Sequence, residues 1–169
     1  FSADILSVYP LSSTRMVDGK QVHKAVKVHE KLKKLYGLKT KYVIPNAHAN
    51  AQRDKGMLAD TRVWAAEMGI THENLIFTSS EEVPTYELGV PPKVVSDLFR
   101  IANVFIFPTV SENSSLVLLE AMLSGNLLIL NKEVGTLREH AGKTALYFDF
   151  SYREPKEINE AYFKDLAKI

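Results

Sequence analysis

Two glutamates stand eight residues apart in the stretch SENSSLVLLEAMLSG, which begins at residue 111. Glu112 lies near its start, and Glu120 lies within the apolar run LVLLEAML, which predicts a buried helix. An unpaired carboxylate among apolar residues is costly, so we expect Glu120 to face a ligand or a partner. The alternative is a pair of surface glutamates beside a buried helix, since acids are common on exposed helix faces.

The start of that helix predicts an anion site. Asn113 and Ser114 are both good N-cap residues, so the first free N–H groups would lie near Ser114, Ser115 and Leu116. Glu120 would lie further along the axis, roughly 9 Å from Ser114 and roughly 12 Å from Glu112. A nucleoside diphosphate sugar matches this layout: the sugar reaches one carboxylate, the diphosphate reaches the amides, and the ribose hydroxyls reach the second carboxylate.

A second feature of possible catalytic use is the cation pair in STRMVDGK. Arg15 and Lys20 lie between the first predicted strand and the first predicted helix. Fixed cations stabilise the negative charge that develops on a departing diphosphate. The alternative is that they are two ordinary members of the chain's 21 basic residues.

Short apolar runs alternate with amphipathic segments along the whole chain, and this order predicts the fold. Continuous apolar strands are typical of a parallel sheet covered on both faces. We therefore expect one doubly wound α/β domain, Rossmann-like, with a mainly parallel six-stranded sheet and helices on both faces. Ligands of such sheets bind at the carboxyl ends of the strands, in loops such as 10–19 and 108–113. The predicted strands are 4–9, 42–45, 75–78, 104–107, 126–130 and 145–148, and the predicted helices are 20–36, 57–68, 91–102, 114–123, 136–141 and 155–168.

The composition excludes several classes of protein. The 169 residues suit one domain, and the net charge of +1 argues against a nucleic-acid surface. The chain has no cysteine, which excludes a disulfide framework and thiolate metal sites, and which fits a reducing, cytoplasmic location. His23 and His29 lie six residues apart on one predicted helix, a spacing that does not make a shared metal site.

Several of these motifs resemble the family-four-type retaining glycosyltransferases. RMVDGK matches the family's arginine, four residues, lysine motif, and FPTVSENSSLVLLEAMLSGNLLIL resembles its signature of two glutamates with seven residues between them. EVGTLREHAGKTALYF resembles the segment that follows. The likeness is specific over about 104–148 and looser before it. It corresponds to the C-terminal, donor-binding half of a two-domain GT-B enzyme.

The resemblance implies a role for each matching residue. Arg15 and Lys20 would contact the donor diphosphate, and Glu112 would face the transferred sugar. The backbone amides of Ser114, Ser115 and Leu116 would bind phosphate or sugar, and Glu120 would bind the ribose hydroxyls. Enzymes of this kind generally need no metal and no cofactor beyond the nucleotide-diphosphate sugar that they use as donor.

The sequence also departs from the family pattern. Gln21 and Thr136 stand where glycine is usual, Thr14 stands where a glycine precedes the arginine, and Ser114 with Ser115 replaces an aromatic-glycine pair. These differences bear on the sugar that is transferred. They leave the expected diphosphate and ribose contacts intact.

The resemblance also implies partners. We expect residues 1–169 to form the donor domain of a longer enzyme of polysaccharide or glycolipid biosynthesis, whose acceptor-binding N-terminal domain is absent from this chain. The chain alone would bind nucleotide and transfer no sugar. The lysine-rich first helix suggests peripheral contact with the inner face of a membrane. The near-zero net charge favours the alternative, in which this face of the helix is solvated. Two other functions are a non-catalytic α/β nucleotide-binding or scaffolding module and a sugar-nucleotide epimerase, which the glutamate signature disfavours.

Overall fold

The computed structural model describes residues 10–11, 20–37, 39–45, 52–78 and 90–150. Strands and helices alternate through these ranges, as the sequence predicts. The elements are β1 (Pro10–Leu11), α1 (Val22–Tyr36), β2 (Tyr42–Ile44), α2 (Gln52–Glu67), β3 (Leu75–Phe77), α3 (Pro92–Ile101), β4 (Val104–Phe107), α4 (Leu116–Leu123), β5 (Leu127–Asn131), α5 (Gly135–Ala141) and β6 (Ala145–Phe148).

The six strands form one sheet in the order β3-β2-β1-β4-β5-β6. All five neighbouring pairs are parallel. This order reverses direction between β1 and β4, as in dinucleotide-binding sheets. The prediction of a doubly wound, six-stranded parallel α/β domain is therefore confirmed.

Side chains that alternate along each strand separate two cores, one on each face of the sheet. In β4, Val104 and Ile106 pack with α1 and α2, whereas Phe105 and Phe107 pack with α3, α4 and α5. Both sets are buried because the strand lies in the interior of the sheet and is covered on its two sides. This burial explains why the strands read as continuous apolar runs.

Two predicted elements lie outside the described residues, namely the strand at 4–9 and the helix at 155–168. In the structure, Leu11 pairs with Val43 and with Phe105. The described strand β1 therefore lies within the stretch that we predicted as loop 10–19. Pro10 is the first residue of the described strand, a position that proline tolerates. The other boundaries agree within two residues, except that α2 begins five residues before its predicted start at 57.

Helix α1 begins and ends at residues with left-handed backbone. Gly37 ends it with φ 61°, as expected for a glycine C-cap. Gln21 precedes the first turn with φ 53° and ψ 36°, and its buried side-chain oxygen Oε1 has no hydrogen-bond partner in the part of the chain that the structure describes. It is the one non-glycine residue with positive φ in the described ranges. The structure thus explains why the resembled family usually has glycine at this position.

The inner face of α1 carries a buried histidine. His29 stacks on Tyr42 with ring centroids 5.6 Å apart, and its side chain is fully buried. Burial, with a smaller effect of Lys33, lowers the pKa of His29 to about 4. The imidazole is therefore neutral at pH 7 and serves as part of the core.

Among the described helices, none is long and apolar enough to cross a bilayer.

Candidate functional site

The carboxyl ends of β1 and β4 form the crevice where the strand order reverses. In open α/β sheets this reversal separates the two flanking loops and leaves room for a ligand. The segment after β1 leads to Lys20, two residues before α1 begins, and the segment after β4 leads to Glu112. Two residues 92 positions apart in sequence are thereby brought to one place.

Lys20 and Glu112 form an ion pair in this crevice. The Nζ atom of Lys20 lies 2.6 Å from Oε2 of Glu112, and their side chains are only 21% and 17% exposed. The same ammonium lies 5.3 Å from the ring centroid of Phe107, the last residue of β4. Partial burial strengthens the attraction, because less water screens the two charges. The structure thus brings together two of the predicted site residues and connects them directly.

The loop that carries Glu112 is anchored by side chains from neighbouring elements. Thr136, in the first turn of α5, donates a hydrogen bond of 2.6 Å to the backbone carbonyl of Glu112. Asn131, at the end of β5, donates to the carbonyl of Thr109, whose hydroxyl donates to the carbonyl of Ser111. Thr109 and Asn131 are both fully or almost fully buried. These bonds fix the backbone on both sides of the glutamate.

Local sequence patterns did not indicate these anchoring residues. Thr136 was noted only as a replacement for a glycine, and Asn131 was assigned no role. One signal was available, because a buried strand that ends in a polar residue needs a hydrogen-bond partner for that residue. The partner itself depends on which loop lies beside β5, and the chain order does not state this.

Helix α4 begins later than predicted. Its N-cap is Ser115, not Asn113 or Ser114, because Ser115 has extended backbone and its hydroxyl accepts a hydrogen bond from the N–H of Leu118. The N–H of Leu119 bonds to the Ser115 carbonyl. The N–H groups of Leu116 and Val117 therefore remain for a ligand, whereas the prediction centred on Ser114 to Leu116. Ser114 is exposed and lies before the helix.

Glu120 is exposed, and the expectation that apolar neighbours enclose it is wrong. Only the side of α4 with Leu118 and Ala121 packs on the sheet. The outward side carries Leu116, 73% exposed, and Leu123, 88% exposed, beside the glutamate. Because this helix is apolar around its whole circumference, its sequence did not indicate which side is buried.

Glu120 lines a groove between α3 and α4. The groove has a volume of about 580 Å³, which is within the range of small-molecule sites. Phe99 and Val95 contribute apolar surface, and Arg100 contributes a cation. The groove is thus suited to a ligand with an apolar ring and hydroxyl groups. It begins near Val90, just before α3.

The remaining predicted features are only partly described. Arg15 lies outside the described residues, and so does the loop at 79–89. At the start of that loop, the Thr78 hydroxyl is buried and has no hydrogen-bond partner among the described residues. Over the described ranges, no three His, Cys, Asp or Glu side chains are grouped so that they could hold a metal ion.

Comparisons by sequence and by structure give different results. No protein-family model matches the sequence, and no curated protein matches it. Solved structures do match, among them the C-terminal domain of a glycosyl transferase group 1 family protein (LpcC) from Francisella tularensis. That match has a TM-score of 0.70 and 13% identity, and it covers 95% of this chain and 75% of that one.

Two trehalose-6-phosphate synthase structures are also similar. One was studied with bisubstrate glycomimetics for glycosyltransfer with retention (TM-score 0.68, 14% identity, 98% of this chain). The other, from E. coli, is bound with UDP-2-fluoro glucose (TM-score 0.65, 16% identity, 92% of this chain). This chain spans 37% and 38% of their lengths. At these identities the matches establish architecture, and the chain has the α/β fold of the C-terminal half of GT-B glycosyltransferases.

Proposed function

We propose that this chain is the donor-binding part of a retaining glycosyltransferase, which moves a sugar from a nucleotide-diphosphate sugar to an acceptor. The observation that carries the proposal is the Lys20–Glu112 pair at the reversal of strand order, beside the N-terminus of α4. A cation, a carboxylate and free helix amides are the groups that a diphosphate joined to a sugar requires.

The diphosphate would bind to Lys20 and to the N–H groups of Leu116 and Val117. An ammonium and a helix N-terminus both favour an anion, and both are in place before the ligand arrives. Arg15 would add a second cation. When the bond between sugar and diphosphate breaks, the negative charge that develops on the leaving oxygen is stabilised there. This arrangement supplies the electrostatic role without a metal ion.

The sugar and the nucleoside would lie on opposite sides of the diphosphate. Glu112 would accept hydrogen bonds from sugar hydroxyls, and Thr136 keeps its loop in position. Four residues of α4 separate Leu116 from Glu120, a rise of about 6 Å along the axis, so the groove by Glu120 is within reach of the ribose. The groove between α3 and α4 would then receive part of the nucleoside.

Retention follows if the acceptor attacks on the face that the leaving diphosphate vacates. The similarity to a trehalose-6-phosphate synthase studied for glycosyltransfer with retention supports this stereochemistry. The acceptor would be held by a separate N-terminal domain. We propose a hexose as the transferred sugar, because the similar E. coli protein binds UDP-2-fluoro glucose.

Calorimetric titration of the chain with UDP, GDP and ADP, without added metal, tests the proposal. We expect one nucleotide to bind and Lys20→Met to weaken it roughly 10- to 100-fold, because a charge-assisted hydrogen bond contributes about 1.5–3 kcal/mol. Lys93→Met is the matched control, since Lys93 is an exposed lysine on α3 that pairs with Asp97. Equal binding by Lys20→Met and wild type would contradict the assignment, and tight binding without transfer by the full-length protein would favour a non-catalytic module.

A further inference from the structure

In the free protein, Lys20 and Glu112 are paired with each other, so a ligand that binds either residue must compete with this ion pair. We propose that Glu112 determines the preference of the site for the intact nucleotide sugar over the free nucleoside diphosphate, by exchanging Lys20 for the hydroxyls of the sugar. This inference rests on the proposed donor site.

The geometry shows that Glu112 occupies a position on Lys20 that an anionic ligand would use. Its carboxylate lies 2.6 Å from the ammonium, and both side chains are largely buried. The ring of Phe107 lies 5.3 Å from the same ammonium and limits the directions from which a second anion can approach it. Although an ammonium has three donors, a carboxylate and a diphosphate on one cation repel each other.

The position of Glu112 is held from the backbone side. Its carbonyl accepts the hydrogen bond from Thr136, and the preceding Ser111 carbonyl accepts the bond from Thr109. The backbone therefore stays in place while the side chain exchanges partners. A rotation of the carboxylate is enough to release Lys20, and the loop does not need to rebuild.

The exchange favours different ligands in different states of the site. When a nucleotide sugar binds, its hydroxyls give Glu112 new hydrogen-bond donors, and Lys20 becomes free for the diphosphate. After the sugar leaves, Glu112 loses those donors and competes again for Lys20. The free nucleoside diphosphate is then held less tightly than the donor, which promotes its release.

Titrations of the 169-residue chain with inorganic pyrophosphate, UDP and UDP-glucose test the inference. The variant is Glu112→Gln, which keeps the size of the side chain and removes its charge. We expect pyrophosphate and UDP to bind about 2- to 5-fold more tightly, because a partly exposed ion pair contributes up to about a factor of five. We expect the preference for UDP-glucose over UDP to fall in the same variant.

Glu133→Gln is the control, because Glu133 follows β5 at the same edge of the sheet, is 58% exposed and lies 3.8 Å from Lys132. It should leave all three affinities unchanged. Equal or weaker pyrophosphate binding by Glu112→Gln, or an unchanged preference for UDP-glucose, would overturn the exchange. Tighter pyrophosphate binding by Glu112→Gln with no nucleotide bound by any variant would leave the competition standing and refute the donor site. A thermal melt of each variant confirms folding.

Discussion

Glu112 and Glu120 belong to one sequence signature, yet they lie in different environments. Glu112 is mostly buried, pairs with Lys20, and has its backbone bonded to Thr136. Glu120 is exposed on the outer side of α4, and among the described residues no ion pair to it is seen. The first carboxylate is thus positioned by contacts from distant parts of the chain, whereas the second is positioned by its helix.

The two environments fit different roles of the two carboxylates in ligand binding. The backbone of Glu112 is fixed before any ligand arrives, so its carboxylate needs only to rotate to reach a group beside the reacting centre. An exposed carboxylate on a helix can adapt to a ribose without a large cost in desolvation. The two ends of the signature therefore suit two different tasks.

The largest expected effect concerns ligand binding at the exposed residue Glu120. Glu120→Ala should weaken nucleoside diphosphate binding by roughly 1–3 kcal/mol, because charged hydrogen bonds to the ribose are lost. Binding of inorganic pyrophosphate should not change, since that ligand has no ribose. Parallel titrations of the two ligands measure the difference. Glu67→Ala, at an exposed glutamate of α2, is the control, and equal losses for both ligands would remove Glu120 from the ribose site.

The next effect concerns the stability of the free protein. Here the substitution of Glu112 should have a larger effect than the substitution of Glu120. Glu112→Ala should lower the free energy of unfolding by about 1–2 kcal/mol, because Lys20 is left mostly buried without its carboxylate. Glu120→Ala should change it by less than about 0.5 kcal/mol, as is usual for an exposed position. Urea unfolding of both variants measures this. Similar losses for the two would show that the pair between Lys20 and Glu112 does not stabilise the fold.

The smallest effect concerns Gln21, which directly follows Lys20 in the sequence. Gln21→Gly should raise the free energy of unfolding by about 0.5–1 kcal/mol, because glycine adopts the left-handed backbone without strain and removes a buried oxygen that lacks a partner. Urea unfolding is again the measurement, with Gln21→Ala as the comparison, which should gain less because alanine removes the buried oxygen but keeps the backbone strain. A loss of stability in Gln21→Gly would mean that the Gln21 side chain supports the fold.

The comparison also shows where prediction from sequence succeeded and where it did not. Glu112 was predicted to lie at the edge of the sheet because it follows a buried strand, and in the structure it pairs there with Lys20. The prediction for Glu120 relied on apolar neighbours, and it was wrong about burial because α4 is apolar on both sides. The start of α4 was misplaced by two residues, since Asn113, Ser114 and Ser115 are all acceptable N-caps and only the bond to Leu118 distinguishes them.

The sequence by itself determined the class of fold and the candidate chemistry. Apolar strands alternating with helices require a covered parallel sheet, and a carboxylate, a cation and a helix start at strand ends indicate an anionic, hydroxylated ligand. Only the tertiary structure decided that Lys20 meets Glu112, that Thr136 holds the loop, and that Glu120 faces outward. Those contacts join residues far apart in the chain, and they depend on the order of strands in the sheet, which local patterns do not encode.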